Sequence, residues 1–155
     1  MNGLRIYADT SVFGGAFDKE FEEPTRMLLD QVRGGRFRVV VSALVEDEML
    51  GAPQDVRALF AKIQEIAEMS DIPDSAIDLR KAYLDARIVG QSSVADALHV
   101  AIATVLECRA IVSWNFRHIV HLEKIPLYNE VNKAHGYPKI AIHTPQEVIQ
   151  YEEGF

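Results

Sequence analysis

Cys108 is the only cysteine in the chain, which excludes an internal disulfide and any zinc site built on several cysteines. No apolar run approaches the roughly 18 residues of a membrane-spanning helix, so no membrane span is expected. A signal-peptide pattern is missing too, because Asp9 breaks the first apolar stretch almost at once. With no call for an oxidising compartment or a membrane, a reducing cytoplasm is the expected location. Excess positive charge is also lacking. The 16 Lys and Arg face 23 Asp and Glu, for a formal net charge of −7, which argues against holding nucleic acid on a broad basic surface. Repeats, low-complexity tracts and linkers are absent. A length of 155 residues fits one domain over 1–155 with a single sizeable core, and 48% hydrophobic against 25% charged residues is the balance of an ordinary globular protein.

Apolar segments at 4–8, 37–41, 110–114 and 139–143, with a weaker one near 68–72, read as strands, and helical patterns lie between them. Glu22 to Val32 carries Met27, Leu28 and Val32 on one stripe and stops at Gly34-Gly35. Ser42 caps a short helix that runs through Leu50 and ends at Gly51-Ala52-Pro53. Val56, Leu59, Phe60, Ile63 and Ile66 fall at helical spacing. Pro73 opens another helix that reaches about Val89, with Gly90 ending it. Thr144-Pro145-Gln146-Glu147 is a capping box with proline at the first helical position. Strands that are apolar throughout, alternating with helices, predict an α/β fold, a three-layer α/β/α domain around a central parallel sheet.

Three acids stand out against this frame. Asp96 lies in a helix that is apolar on nearly every side, Val94 to Leu106, where an ionised carboxylate is expensive unless a cation or donors compensate it. Ser93-Val94-Ala95-Asp96 also fits the S-x-x-[DE] capping pattern, so Asp96 has a purely local alternative. Asp9 stands at the carboxyl end of the first strand, where open α/β sheets bind ligands; capping the next helix is its alternative. Glu48 lies a full turn past the Ser42 cap and shares a side with Leu44 and Val45, which separates it from Glu46 and Asp47.

Asn115 follows the apolar run Ala110-Ile111-Val112 and so also sits at a carboxyl strand end. Its amide can ligate a metal through oxygen or orient a water. Thr10, Ser11 and Ser113 add hydroxyls that can hold a carboxylate or a metal-bound water. Trp114 and Phe116 read as core or pocket wall, and His99, three residues after Asp96, as a buried, satisfied core histidine, with a place near the site as its alternative. His118 and His121 are three apart but lack a third nitrogen or sulfur ligand, and Arg87, Arg109, Arg117 and Lys124 are candidate contacts for phosphates. Three carboxylates, Asp9, Glu48 and Asp96, with one amide and no sulfur select Mg²⁺ or Mn²⁺ over zinc. Such a site can polarise a phosphodiester and generate a hydroxide nucleophile, and it holds a phosphate locally even in an acidic protein.

The ordered set Tyr7-Ala8-Asp9-Thr10-Ser11-Val12, Val41-Ser42 through Glu48, Asp96-Ala97-Leu98-His99-Val100-Ala101-Ile102-Ala103 and Val112-Ser113-Trp114-Asn115-Phe116 resembles the PIN-domain family, including its VapC-type toxin ribonucleases. The likeness spans residues 4–120, and the tail from Ile125 to the capping box resembles a PIN subgroup with a Ser-Trp-Asn-Phe segment. The resemblance implies a Mg²⁺- or Mn²⁺-dependent endoribonuclease with Asp9, Glu48 and Asp96 at the family's acidic positions. It also implies an RNA substrate, single-stranded or structured, a small antitoxin partner and a homodimer. Many members carry Asp where this chain has Asn115, and some carry an acid where it has Ala95. Both departures remove negative charge, which weakens metal affinity or shifts the metal count from two towards one. They motivate the alternative of a non-catalytic PIN-like module that binds RNA or protein with a degenerate metal site. A phosphatase of the haloacid-dehalogenase type would need D-x-D-x-[TV], and Asp9-Thr10-Ser11-Val12 lacks the second Asp.

Overall fold

Five strands, four of them largely apolar and the third, Glu68-Met69-Ser70, mostly polar, pair in parallel to form the sheet of this computed structural model, which describes residues 3–151. β1 (Leu4–Ala8), β2 (Phe37–Ser42), β3 (Glu68–Ser70), β4 (Ala110–Val112) and β5 (Ala141–His143) lie in the order β3-β2-β1-β4-β5. Ile6, Tyr7, Val40, Val41, Ile111 and Val112 are fully buried because helices cover the sheet. The register pairs Tyr7 with Val40 on one side and with Ile111 on the other. The three-layer α/β/α domain expected from the sequence is thus what forms. The single-domain expectation for 1–155 extends past the described residues at both ends.

The helices are α1 (Thr10–Gly15), α2 (Glu22–Arg33), α3 (Ala43–Met49), α4 (Gln54–Gln64), α5 (Asp74–Asp85), α6 (Val94–Val105), α7 (Lys124–Ala134) and α8 (Pro145–Ile149), with a 3₁₀ turn at Gln91–Ser93 before α6. Several boundaries differ from the sequence expectation, each for a local reason. In α2 the buried stripe is Thr25, Leu28, Leu29 and Val32, while Met27 is 45% exposed. The strand expected over 110–114 ends at Val112, because Asn115 bends the chain into a turn. The helix expected to reach Val89 ends at Asp85, and Arg87 takes the left-handed φ of 62° that closes it. Ile88 N–H then reaches back to the carbonyl of Tyr83, 3.2 Å away.

Helix α7 has no counterpart in the hydrophobic pattern, since it carries Pro126 and two asparagines. It is held by apolar and polar contacts together: Tyr128 is fully buried and meets Tyr83 edge-on with ring centroids 4.9 Å apart. Buried Asn132 accepts from the Tyr83 hydroxyl and donates to Thr104 Oγ1 at 3.3 Å, pinning α7 to α5 and α6. Arg5 does similar work on β1: it pairs with Glu68 on β3 (3.1 and 2.6 Å) and donates to the Leu106 carbonyl at the end of α6 (2.8 Å). No helix among the described residues is long and apolar enough to cross a membrane.

The strand order fixes where a ligand can sit. From β1 the chain winds outwards to β2 and β3, then crosses back to β4 and β5 on the other side. The switch point is therefore between β1 and β4, and the crevice lies beyond their carboxyl ends. Asp9 follows β1 there and Ser113 follows β4.

Candidate active site

Asp9 occupies the N-cap position of α1 but makes no capping bond with its side chain. Its carboxylate, with the residue only 3% exposed, turns across the switch point instead. Oδ1 accepts from Ser11 Oγ and Oδ2 from Ser113 Oγ, both at 2.6 Å. The serine oxygens accept in turn from the backbone N–H groups of Trp114 and Asn115, each at 2.9 Å. The loops after β1 and β4 are thereby stapled together through one carboxylate. Burial pushes the Asp9 carboxyl above its ordinary range; His99 and the two serine hydroxyls oppose that rise, and the charge of Glu48 adds to it.

Glu48 comes from α3, whose start is fixed by Ser42 Oγ accepting from Val45 N–H at 3.5 Å. Glu46 turns outward to accept from Gln64 at 2.8 Å, whereas Glu48 turns inward. Glu48 Oε1 accepts from Thr10 Oγ1 and from His99 Nε2, the latter at 2.8 Å. A carboxylate only accepts, so Nε2 of His99 carries a proton. His99 Nδ1 is bonded to the Tyr7 hydroxyl at 2.8 Å, which is bonded to Ser42 Oγ at 2.8 Å. One chain of hydrogen bonds thus runs Ser42–Tyr7–His99–Glu48–Thr10 through the core. Burial alone would raise the Glu48 carboxyl, but the bond and charge of His99 and the Thr10 hydroxyl outweigh it and hold the group below its ordinary range. Burial also keeps the Tyr7 phenol protonated.

Asp96 sits half-buried in the first turn of α6, three residues before His99 on the same helix. The local capping box does not form: Ser93 makes no side-chain cap and bonds His118 Nε2 at 3.0 Å instead. Asp96 makes no side-chain hydrogen bond or ion pair among the described residues, and its charge acts on His118 and Tyr128. The amide oxygen of Asn115 accepts from the N–H groups of Arg117 (3.1 Å) and His118 (2.9 Å). It therefore shapes the turn after β4 and leaves the NH₂ group as the free polar end. Asp9, Glu48 and His99 act on one another electrostatically. Among the described residues, however, no three His, Cys, Asp or Glu side chains converge closely enough to hold a metal ion.

No family model matches the chain, and no curated protein matches it. Solved structures do. VapBC2 from Rickettsia felis, bound to a DNA fragment from their promoter, superposes with a TM-score of 0.59 at 12% identity, over 91% of this chain and 98% of that one. FitAB bound to an IR36 DNA fragment gives 0.58 at 14%, over 97% and 99%. The chain has the fold of a PIN domain.

Within this PIN fold the sequence-predicted residues are distributed unevenly. Asp9, Ser11, Ser113 and the backbone of Asn115 form one cluster, and Glu48 and Thr10 form a second, joined to the core by His99. Asp96, on α6 three residues before His99, is bonded to neither cluster. Tyr7 and Ser42 were missed by sequence reasoning, as was the part His99 plays beyond being buried. A signal was present for Tyr7: it precedes Asp9 by two residues and so shares its face of β1.

Trp114 is wall rather than open platform. It stacks on Phe21 with ring centroids 4.2 Å apart and donates Nε1–H to Thr25 Oγ1 at 2.8 Å. Gly15 makes room for it: a Cβ there would lie 2.6 Å from Trp114 Nε1 and 2.9 Å from Thr25 Oγ1. Gly15→Ala is therefore expected to lower stability by about 1–3 kcal/mol through overpacking, read as a lower urea midpoint with an unchanged m-value. An unshifted midpoint would show that the indole gives way freely.

Proposed function

We propose that the protein is a divalent-metal-dependent endoribonuclease, the toxin of a toxin–antitoxin pair. The observation that carries this reading is the Asp9 carboxylate. It is buried at the switch point of the sheet, and the groups bonded to it are neutral hydroxyls. No cation is bonded to this buried anion, and the charge of His99 opposes its desolvation without outweighing it. Asp96, without a hydrogen-bonding partner among the described residues, and the second oxygen of Glu48 add to that deficit. The donors are oxygen and carry full negative charge, which suits Mg²⁺ or Mn²⁺.

Asp9, Glu48 and Asp96 would hold the ion. Bound there, it would polarise the phosphodiester and lower the pKa of a water to supply the nucleophile. The protein's own groups do the positioning: Ser11 and Ser113 aim Asp9, His99 and Thr10 fix one oxygen of Glu48, and Asn115 sets the turn beside them. The two structural neighbours are VapBC2 and FitAB assemblies bound to DNA, which supports a small antitoxin partner for this chain. A short reading frame directly upstream is the matching genomic expectation. A homodimer is part of the same proposal.

A second reading has its own support. Asn115 directs its oxygen into the turn and the carboxylates do not converge, as in a module that binds RNA or protein without cleaving. Mixed-sequence single-stranded RNA incubated with Mn²⁺ and then with EDTA separates the two. The nuclease reading expects cleavage by the parent, lost in EDTA and lost in Asp96→Asn. A folded parent that neither cleaves nor binds Mn²⁺ calorimetrically would leave the binding module.

A further inference from the structure

A cavity of about 340 Å³ opens at the N-terminal end of α6, lined by Arg87, Lys124, Gln91 and Gly90 among others, with no carboxylate in its wall. Neither Arg87 nor Lys124 forms an ion pair among the described residues. Lys124 is instead held by a neutral partner. Its ammonium lies 3.1 Å from His118 Nδ1, and Nε2 of the same ring lies 3.0 Å from Ser93 Oγ. An ammonium only donates, so Nδ1 accepts and Nε2–H donates to the serine. Burial and the adjacent Lys124 charge both favour that neutral imidazole. Two of the three N–H groups of Lys124 remain for a ligand. Arg87 reaches the same cavity from a backbone position, φ 62° after α5, that favours glycine.

The cavity opens beside the start of α6, the helix that carries Asp96. His118 links Lys124 to Ser93, the N-cap of α6, and it lies in the field of Asp96 one turn further along. We propose that Arg87 and Lys124 form a phosphate subsite that takes the RNA backbone phosphate next to the scissile one. This rests on the ribonuclease reading above and names how that site holds its substrate. Two local cations give an acidic protein its grip on a polyanion without a basic face. The neutral His118 clamp keeps Lys124 oriented without cancelling its charge.

The test is fluorescence anisotropy of a labelled single-stranded oligoribonucleotide bearing 2′-O-methyl groups, which is not cleaved, titrated across a salt series. Lys124→Gln and Arg87→Gly are each expected to weaken binding about tenfold at low salt, the scale of one charge-assisted contact. Each is also expected to reduce the slope of log affinity against log salt by about 0.7. Lys124→Arg should keep the slope, and Lys62→Gln, on α4, should match the parent. Arg87→Gly places the favoured residue at a left-handed position, and a thermal melt matching the parent separates its loss of affinity from unfolding. If the parent binds and both charge-removing variants bind with its affinity and slope, the subsite is wrong and the ribonuclease reading stands. If the parent binds no RNA at any salt, both fall together.

Discussion

Asp9→Asn is expected to abolish RNA cleavage, by about 10³-fold or more, while raising the stability of the folded protein. The two effects share one cause. The Asp9 carboxylate is buried, and burial raises its pKa in the native state. An acid that binds its proton more tightly when folded makes the native state lose stability as pH rises from the unfolded to the folded value. Above the folded value the full penalty is present. Asparagine carries no charge to desolvate and keeps the shape. Its oxygen can accept from one serine hydroxyl while its NH₂ donates to the other, since each hydroxyl has lone pairs to offer. The gain should therefore be full above the raised folded pKa and shrink towards zero as pH falls from there to the ordinary carboxylate range. In a chain of this size each kcal/mol appears as about 2–4 °C in Tm. Thermal melts of parent and variant at neutral and acid pH check both sign and window. A variant less stable than the parent at neutrality would mean that the two serines repay the carboxylate in full, and the argument for a missing cation would collapse.

That trade of stability for a charged site explains which residues could be read from the sequence. Asp9 and Asp96 were visible because a carboxylate in an apolar segment contradicts its surroundings, and the contradiction needs only local sequence. Glu48 separated from Glu46 by helical phase alone, and the two do diverge, Glu46 to Gln64 and Glu48 to His99. The parallel sheet followed from four largely apolar strands. What stayed hidden depends on pairs far apart in the chain. Tyr7 and His99 are 92 positions apart, and Glu48 and His99 are 51 apart; no spacing rule connects them. Helix α7 was hidden for another reason. Its buried face combines Tyr128 with the polar Asn132 and the run carries Pro126, so the pattern that finds amphipathic helices passes over it. Asn115 shows the opposite failure: its residue type suggests a ligand, whereas its oxygen is occupied by two backbone donors of its own turn.

His99→Gln carries the second large expectation. The imidazole is 3% exposed and bonds at both nitrogens, to Glu48 and to Tyr7. Glutamine can reach one of these partners but not span both. The lost ring volume and the loss of one of the two hydrogen bonds of the buried Tyr7 hydroxyl together should lower stability by about 2–4 kcal/mol. If Glu48 serves the metal, its aim depends on His99 as well, and Mn²⁺ affinity should fall about 10–100-fold, as it does when groups behind metal-binding side chains are removed. Tyr7→Phe keeps the ring and removes only the hydroxyl, so it should fall in the same direction by less on both measures. Stability loss alone would not distinguish a core histidine from one that aims a carboxylate. Combining His99→Gln with Glu48→Gln does, because residues acting as a unit give non-additive effects. Calorimetric Mn²⁺ titration of the single and double variants should show the double mutant little worse than Glu48→Gln alone. Fully additive losses would mean that His99 supports the core and that Glu48 finds its position without it.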